Sequence, residues 1–258
     1  MKKYLLFIFV SIALGFLAYG ECSTIVNRVG DKSVSDMFHG PTVALVEAIV
    51  AGDFESANEL LQQGADINQI GKYSDITPLI WVGAVTKRDL NKMEYMLKHA
   101  ASPNIRGENS NEMSAMEIAV SGDSKALLEL FLKYGGDATL EATSMSKGGA
   151  LRRNLLMVAI SNWREDYFEL LLNHGADVNW NIDGTKGSQT VTDMCLLFRR
   201  YDWLLYFLKK GHKGDLYKIG EAVKIDGVSP TREAGRQKLI QYLIDHGVDI
   251  NQTGTATN

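Results

Sequence analysis

The chain has 258 residues, 45% of them hydrophobic and 22% charged, with a formal net charge of −4. That is ordinary globular composition, long enough to bury a large core, and its weakly acidic balance excludes the basic footprint of a nucleic-acid binder. Four prolines, no low-complexity tract and no run of like charge exclude a proline-rich linker or a charged tail.

At the N-terminus, Lys2 and Lys3 precede an apolar run from Tyr4 to Ala18. It is shorter than the ~20 residues that span a bilayer. Ala18 and Gly20 are small and stand at −3 and −1 of a cut after Gly20, which completes the three parts of a secretory signal peptide. Loss of Lys2 and Lys3 leaves 25 basic against 31 acidic residues, a mature charge of about −6. Cys22 follows directly, where a lipoprotein carries its acylated cysteine. Glu21 is a poor residue to precede such a cysteine, so plain secretion is expected ahead of a lipid anchor. Export also permits one disulfide, Cys22 to Cys195, and the sequence leaves a free, lipidated or bonded Cys22 open.

Beyond residue 40 the apolar residues recur at helical spacing, in pairs of segments. In chain order the pairs are TVALVEAIVAG with FESANELL, TPLIWVGAV with LNKMEYML, and SAMEIAVSG with KALLELFL. NLLMVAISN with EDYFELLL, VTDMCLLFR with YDWLLYFL, and the weaker LYKIGEAVK with RQKLIQYLI complete the series. A turn glycine or its substitute closes each pair, at Gly64, Ala100, Gly135, Gly175, Gly211 and Gly247, with steps of 36, 35, 40, 36 and 36 residues. A fixed period in this range signals stacked repeats, because two short helices cannot bury their apolar faces alone. Within LLNHGADVNW, Gly175 is expected in a left-handed conformation at a helix end and Asp177 and Asn179 in local loop bonds. His174, with His99 and His246 at the same repeat position, is expected to bond the last helical carbonyls rather than a metal. The 40-residue step holds extra sequence, about Thr139 to Arg153, which reads as a surface loop, and DGVSPTREAG lies irregularly between the last two helices.

The period, with LLQQGADIN from Leu60, LLNHGADVN from Leu171 and LIDHGVDIN from Leu243, resembles the ankyrin repeat. So does TPLIWVGA at Thr77 to Ala84, with Ile80 in place of the family's histidine. The resemblance covers roughly Pro41 to Asn251. It implies an all-α fold, an ankyrin-repeat solenoid of about six helix-turn-helix repeats with connecting β-turn loops. The expected organisation is a signal peptide at 1–20, an N-terminal extension at 21–40, the repeat domain at 41–252 and a tail at 253–258. Sixteen residues before the turn glycine stand Ala48, Ala119, Ala159 and Cys195, with Val82 in the longer second repeat. The family places a small residue there for close helix packing, so Cys195 reads as core. By the same alignment Trp203 is expected to be buried.

The chain carries no H-E-x-x-H, C-x-x-C, P-loop, G-x-G-x-x-G or G-x-S-x-G motif. SKGGALRR, Ser146 to Arg153, is basic and glycine-bearing but lacks the Lys-Ser/Thr ending of a phosphate loop. Glu165 and Asp166 begin a helix, where carboxylates suit the dipole. No catalytic residue, metal or cofactor is expected.

What remains is surface. The resemblance implies partner binding through loop tips and the exposed side of the first helices. This selects Tyr73, Asp75, Arg106, Glu108, Arg152, Arg153, Trp180 and Asn181 at tips, with Glu47, Trp81 and Glu117 on first helices. Trp and Arg are enriched at binding hot spots. The resemblance implies a non-enzymatic protein with one protein partner, and the short, bacterial-looking signal peptide implies the periplasm. The leading role is immunity, blocking a delivered toxin such as a type VI secretion lipase effector. The alternatives are support of a periplasmic enzyme such as catalase, or a secreted effector that binds a host protein.

Overall fold

A computed structural model describes residues 32–72, 76–106, 113–146, 149–181, 190–224 and 229–250. The signal-peptide expectation, Cys22, Tyr73, Asp75 and Glu108 lie outside the described residues. The described chain is mostly helical, with one two-stranded sheet. It divides into two compact units, Met1–Ala176 and Asp177–Asn258. Among the described residues no helix is long and apolar enough to cross a membrane.

The first unit contains α1 (Val34–Met37), α2 (Pro41–Ala51), α3 (Phe54–Gln62), α4 (Pro78–Val85), α5 (Leu90–Lys98), α6 (Ala115–Ser121) and α7 (Lys125–Lys133). A hairpin of β1 (Glu141–Ser146) and β2 (Gly149–Asn154) follows, then α8 (Leu155–Ser161), a 3-10 turn (Glu165–Tyr167) and α9 (Phe168–Asn173). The second unit contains α10 (Val191–Leu197), α11 (Tyr201–Lys209), α12 (Leu216–Val223) and α13 (Pro230–Asp245). All twelve segments with apolar helical spacing fall on helices.

Polar caps start these helices. Asp53, Thr77, Asp89, Ser114, Ser124, Asn154, Thr190 and Asp215 each accept a first-turn N–H through the side chain. Such caps satisfy donors that a helix leaves unpaired. One glycine-type turn ends all six second helices. Gly64, Gly135, Gly175, Gly211 and Gly247 have φ between 84° and 94°, and Ala100 has φ 65°. In each, the left-handed residue donates to the carbonyl three back and the next residue to the carbonyl five back, as in Gly64 to Leu61 (3.1 Å) and Ala65 to Leu60 (3.0 Å). This is a Schellman motif, repeated at Ala100–Ala101, Gly135–Gly136, Gly175–Ala176, Gly211–His212 and Gly247–Val248.

An asparagine four residues after three of these turns makes one recurring pair of bonds. Asn68 donates to Ala100 C=O at 2.9 Å and accepts from Ser102 N–H at 2.8 Å. Asn104 does the same to Gly135 and Asp137, and Asn179 to Gly211 and Lys213. Asn179 thus bonds a turn 32 residues away rather than its own loop, whereas Asp177 makes the local bond expected of it, accepting from Asn179 N–H. His99, His174 and His246 each place Nδ1 at 2.7–2.8 Å from the carbonyl four residues earlier, so Nδ1–H caps the helix end. Among the described residues no group of three or more potential ligands is placed to hold a metal ion.

The core is aliphatic and aromatic, with Leu45, Leu79, Met96, Leu128, Phe131 and Tyr167 fully buried in the first unit and Cys195, Phe207 and Leu239 in the second. Trp203 is buried, as the alignment requires, beneath the Arg200 guanidinium 3.4 Å from the ring centroid. Burial pushes the Cys195 thiol pKa far up, so it behaves as a small apolar core group.

Three regions differ from the sequence reading. Met37 and Phe38, in the expected N-terminal extension, are buried in the first unit. Thr139–Arg153 is not a loop, because most of it forms the antiparallel hairpin, with Glu141 opposite Asn154 and Thr143 opposite Arg152. The hairpin packs on α8, every residue of which is buried. A helix apolar all round needs cover on every side. Finally, PTREAG is helical, and α13 runs 16 residues. Gly235 sits inside it where a Cβ would lie 3.2 Å from Asp202, so its absence allows close approach.

Candidate functional site

Most of the described residues that the sequence selects for binding belong to the frame. Trp81 is 2% exposed, and its ring meets Phe38 edge-on at 6.0 Å. The chain before α2 covers this part of α4, so Trp81 is core and offers no surface. Glu117 is 1% exposed. One of its carboxylate oxygens accepts from Ser114 N–H at 2.7 Å, closing a capping box, and the other pairs with Arg106. Burial raises the Glu117 pKa, against the lowering by Ser114 and Arg106. Arg106 and Glu117 therefore form one structural pair.

Arg153 is buried beside Ser161, with Nη1 3.3 Å from its hydroxyl, because the hairpin turns it onto α8. Arg152 is exposed and pairs across the strands with Glu141. Glu47 is exposed on α2. In the second unit Trp180 is half-buried and Asn181 exposed. Of the selected residues, Arg106 and Glu117 are brought together, in one ion pair.

A different place in the first unit has the properties of a site. The turn from α4 to α5 reads Thr86-Lys87-Arg88-Asp89. Thr86 N–H and hydroxyl both donate to Val82 C=O, and Arg88 N–H donates to Gly83 C=O at 2.7 Å. Asp89 then caps α5. Lys87 and Arg88 are both left-handed, with φ 54° and 62°. The corresponding turns at Gly52 and Trp163 have one left-handed residue each. Two successive non-glycine residues in this region are uncommon, and such strain collects at functional positions.

Beside this turn is a cavity of about 250 Å³ lined by Leu79, Ile80, Met93, Ile118, Leu127 and Phe131. It exists because the helices present Gly83, Ala84 and Ala115 there. A Cβ on Gly83 would meet the Met93 methyl at 3.3 Å. Its only charged lining residues are Lys87 and Arg88. Arg88 Nη1 lies 2.8 Å from Asp123 Oδ1 in the next helix-joining turn. Tyr167, buried and with its pKa raised by burial, donates its hydroxyl to Gly122 C=O at 3.3 Å. The Arg164 guanidinium lies 5.8 Å from the Tyr167 ring centre, and its neighbour Trp163 is 47% exposed with φ 59°. The joining turns of three helix pairs are thus linked along one edge, from Lys87 to Trp163.

No family model matches the chain, and no curated protein matches it. The sequence signals for Glu117 were present, since Ser114-x-x-Glu117 is a capping-box pattern. For the cavity there were none, because it is defined by what small residues leave empty.

Proposed function

We propose that the chain is an exported ankyrin-type repeat protein that acts by binding one protein partner in the periplasm, without catalysis. The observation that carries this reading is the recurrence of one turn, with the same two backbone bonds, at the six positions that set the sequence period. The asparagine ties support it: within the first unit Asn68 and Asn104 each join one turn to the following one, as stacked repeats require, and Asn179 makes the same pair of bonds within the second unit. Such a frame serves recognition by holding a rigid surface. The role that follows from the sequence reading is immunity, in which the bound surface covers the active site or docking face of a toxin.

The test is capture of the mature protein's partners from periplasm, with and without the product of the neighbouring gene. One partner retained at micromolar affinity or better is expected, and a toxin partner should lose activity on binding. If the mature protein retains no partner under either condition, the binding reading is wrong.

A further inference from the structure

We propose that the edge formed by the helix-joining turns of the first unit, rather than the loop tips between pairs, is where a protein partner docks, and that the partner inserts a large apolar side chain flanked by carboxylates. This rests on the binding reading above.

Four observations converge on this edge. Among the described residues of the first unit, four large apolar side chains are exposed, Ile70, Val85, Leu90 and Trp163, and all but Ile70 lie in or beside joining turns. Val85 and Leu90, each 41% exposed, bracket the Lys87–Arg88 turn. Apolar groups clustered at the surface mark interaction sites, whereas scattered ones do not. The cavity is about 250 Å³, below the ~300–1,000 Å³ of small-molecule pockets, and suits the anchoring side chain of a docked segment. Lys87 belongs to the lining and is exposed, so a free amphiphile would leave a flank in water there while a docked chain covers that flank itself. Arg88 is offset by Asp123, so Lys87 sets the flanking charge, favouring an acidic residue beside the anchor and repelling a basic one.

Two first helices of this unit are covered elsewhere. Phe38 lies over Trp81 on α4, and the hairpin packs on α8. Lys87, Arg88 and Trp163 each hold a left-handed backbone without being glycine, so these side chains are kept at a conformational cost.

The first experiment is a methyl NMR titration of the mature protein with acetyl-Asp-Phe-Glu-amide, acetyl-Lys-Phe-Lys-amide and decanoate. The acidic peptide is expected to shift the Ile80, Met93, Ile118 and Leu127 methyls, binding at least fivefold more tightly than the basic one. Lys87→Glu should reverse that preference, and Ala84→Trp should abolish the shifts by filling the mouth. Lys87 is exposed, so its variant keeps the test valid if Ala84→Trp fails to fold. No shifts at these methyls, equal binding of the two peptides, or decanoate binding more tightly than either would overturn the proposal. The second experiment separates it from the wider reading. If the wild type captures a periplasmic partner, Lys87→Glu and Trp163→Ala should weaken that complex at least tenfold while Glu59→Ala, at an exposed position outside the edge, leaves it unchanged. Unchanged capture by the edge variants defeats this inference and leaves the binding reading intact, whereas failure of the wild type to capture anything defeats the reading itself.

Discussion

The turn that ends each second helix and the turn that joins the helices of a pair meet the same need with different residues. Both must reverse the chain and satisfy the last helical carbonyls. At the ends of second helices, five of the six left-handed positions are glycine and the sixth is Ala100. In the joining turns, among the described residues, the left-handed ones are Gly52, Lys87, Arg88, Trp163 and Arg199, and four of these five carry a side chain. A left-handed residue with a Cβ costs roughly 1–2 kcal/mol. The first set of turns is therefore built for stability, and the second keeps particular side chains in spite of that cost. The frame lies at one kind of turn and the candidate recognition residues at the other.

The largest expected effect comes from a residue that looks like surface in the sequence and belongs to the frame. Glu117→Ala removes a buried carboxylate, half of a capping box and the partner of Arg106. It should destabilise the protein by about 2–4 kcal/mol, read as a lower midpoint in urea, because it removes both a buried ion-pair contact to Arg106 and the bond that closes the capping box. An unchanged midpoint would place Glu117 outside the frame and blur the distinction between the turns. Next is Asn104→Ala, which loses the bonds to Gly135 C=O and Asp137 N–H. A cost of about 1–2 kcal/mol is expected, against little or none for Asn181→Ala, which is exposed.

Smaller still is the exchange at the left-handed positions themselves. Gly64 has open space where a Cβ would go, so Gly64→Ala tests backbone strain alone and should cost about 1 kcal/mol. Ala100→Gly and Lys87→Gly should each gain up to about 1 kcal/mol, raising Tm by roughly 2–4 °C. If Lys87→Gly lowers Tm instead, the joining turn is not held against its own preference, and the contrast between the two kinds of turn fails there.

How much of this was legible in the sequence follows from the range of the forces involved. Helices and their ends are local. The spacing of Leu127, Leu128, Phe131 and Leu132 and the glycine after each second helix reported them directly. The burial of Trp81 depends on Phe38, which lies 43 residues earlier in what reads as an extension. No window around Trp81 contains that fact. The hairpin is not legible in the sequence because EATSMS and GALRRN lack a clean apolar alternation, their role being to cover α8 rather than to form a sheet core. In the site, Thr86-Lys87-Arg88-Asp89 carries no glycine to announce its left-handed backbone, and the cavity depends on Gly83, Ala84 and Ala115 from two helices.

The smallest expected effect is a slope, and it lies in the second unit. His212 follows the left-handed Gly211 at a position held by Ala65, Ala101 and Ala176 in other turns. Its Nδ1 lies 3.0 Å from Val178 C=O and must carry the proton, which leaves Nε2 to accept from the Thr192 hydroxyl at 2.6 Å. Burial lowers the imidazole pKa, against the raising by the Val178 bond and by Asp193 and Asp177. The folded state thus binds fewer protons than the unfolded chain, whose histidine titrates near 6.5, about the usual value. Stability is fully present above that value and falls as pH drops from it toward the lower folded pKa. Urea midpoints should decline between about pH 6.5 and 5, a window above most carboxylate titration, and His212→Gln should flatten the decline. A slope that persists in that variant would assign the pH response to another group and leave His212 a packing residue like the alanines it replaces.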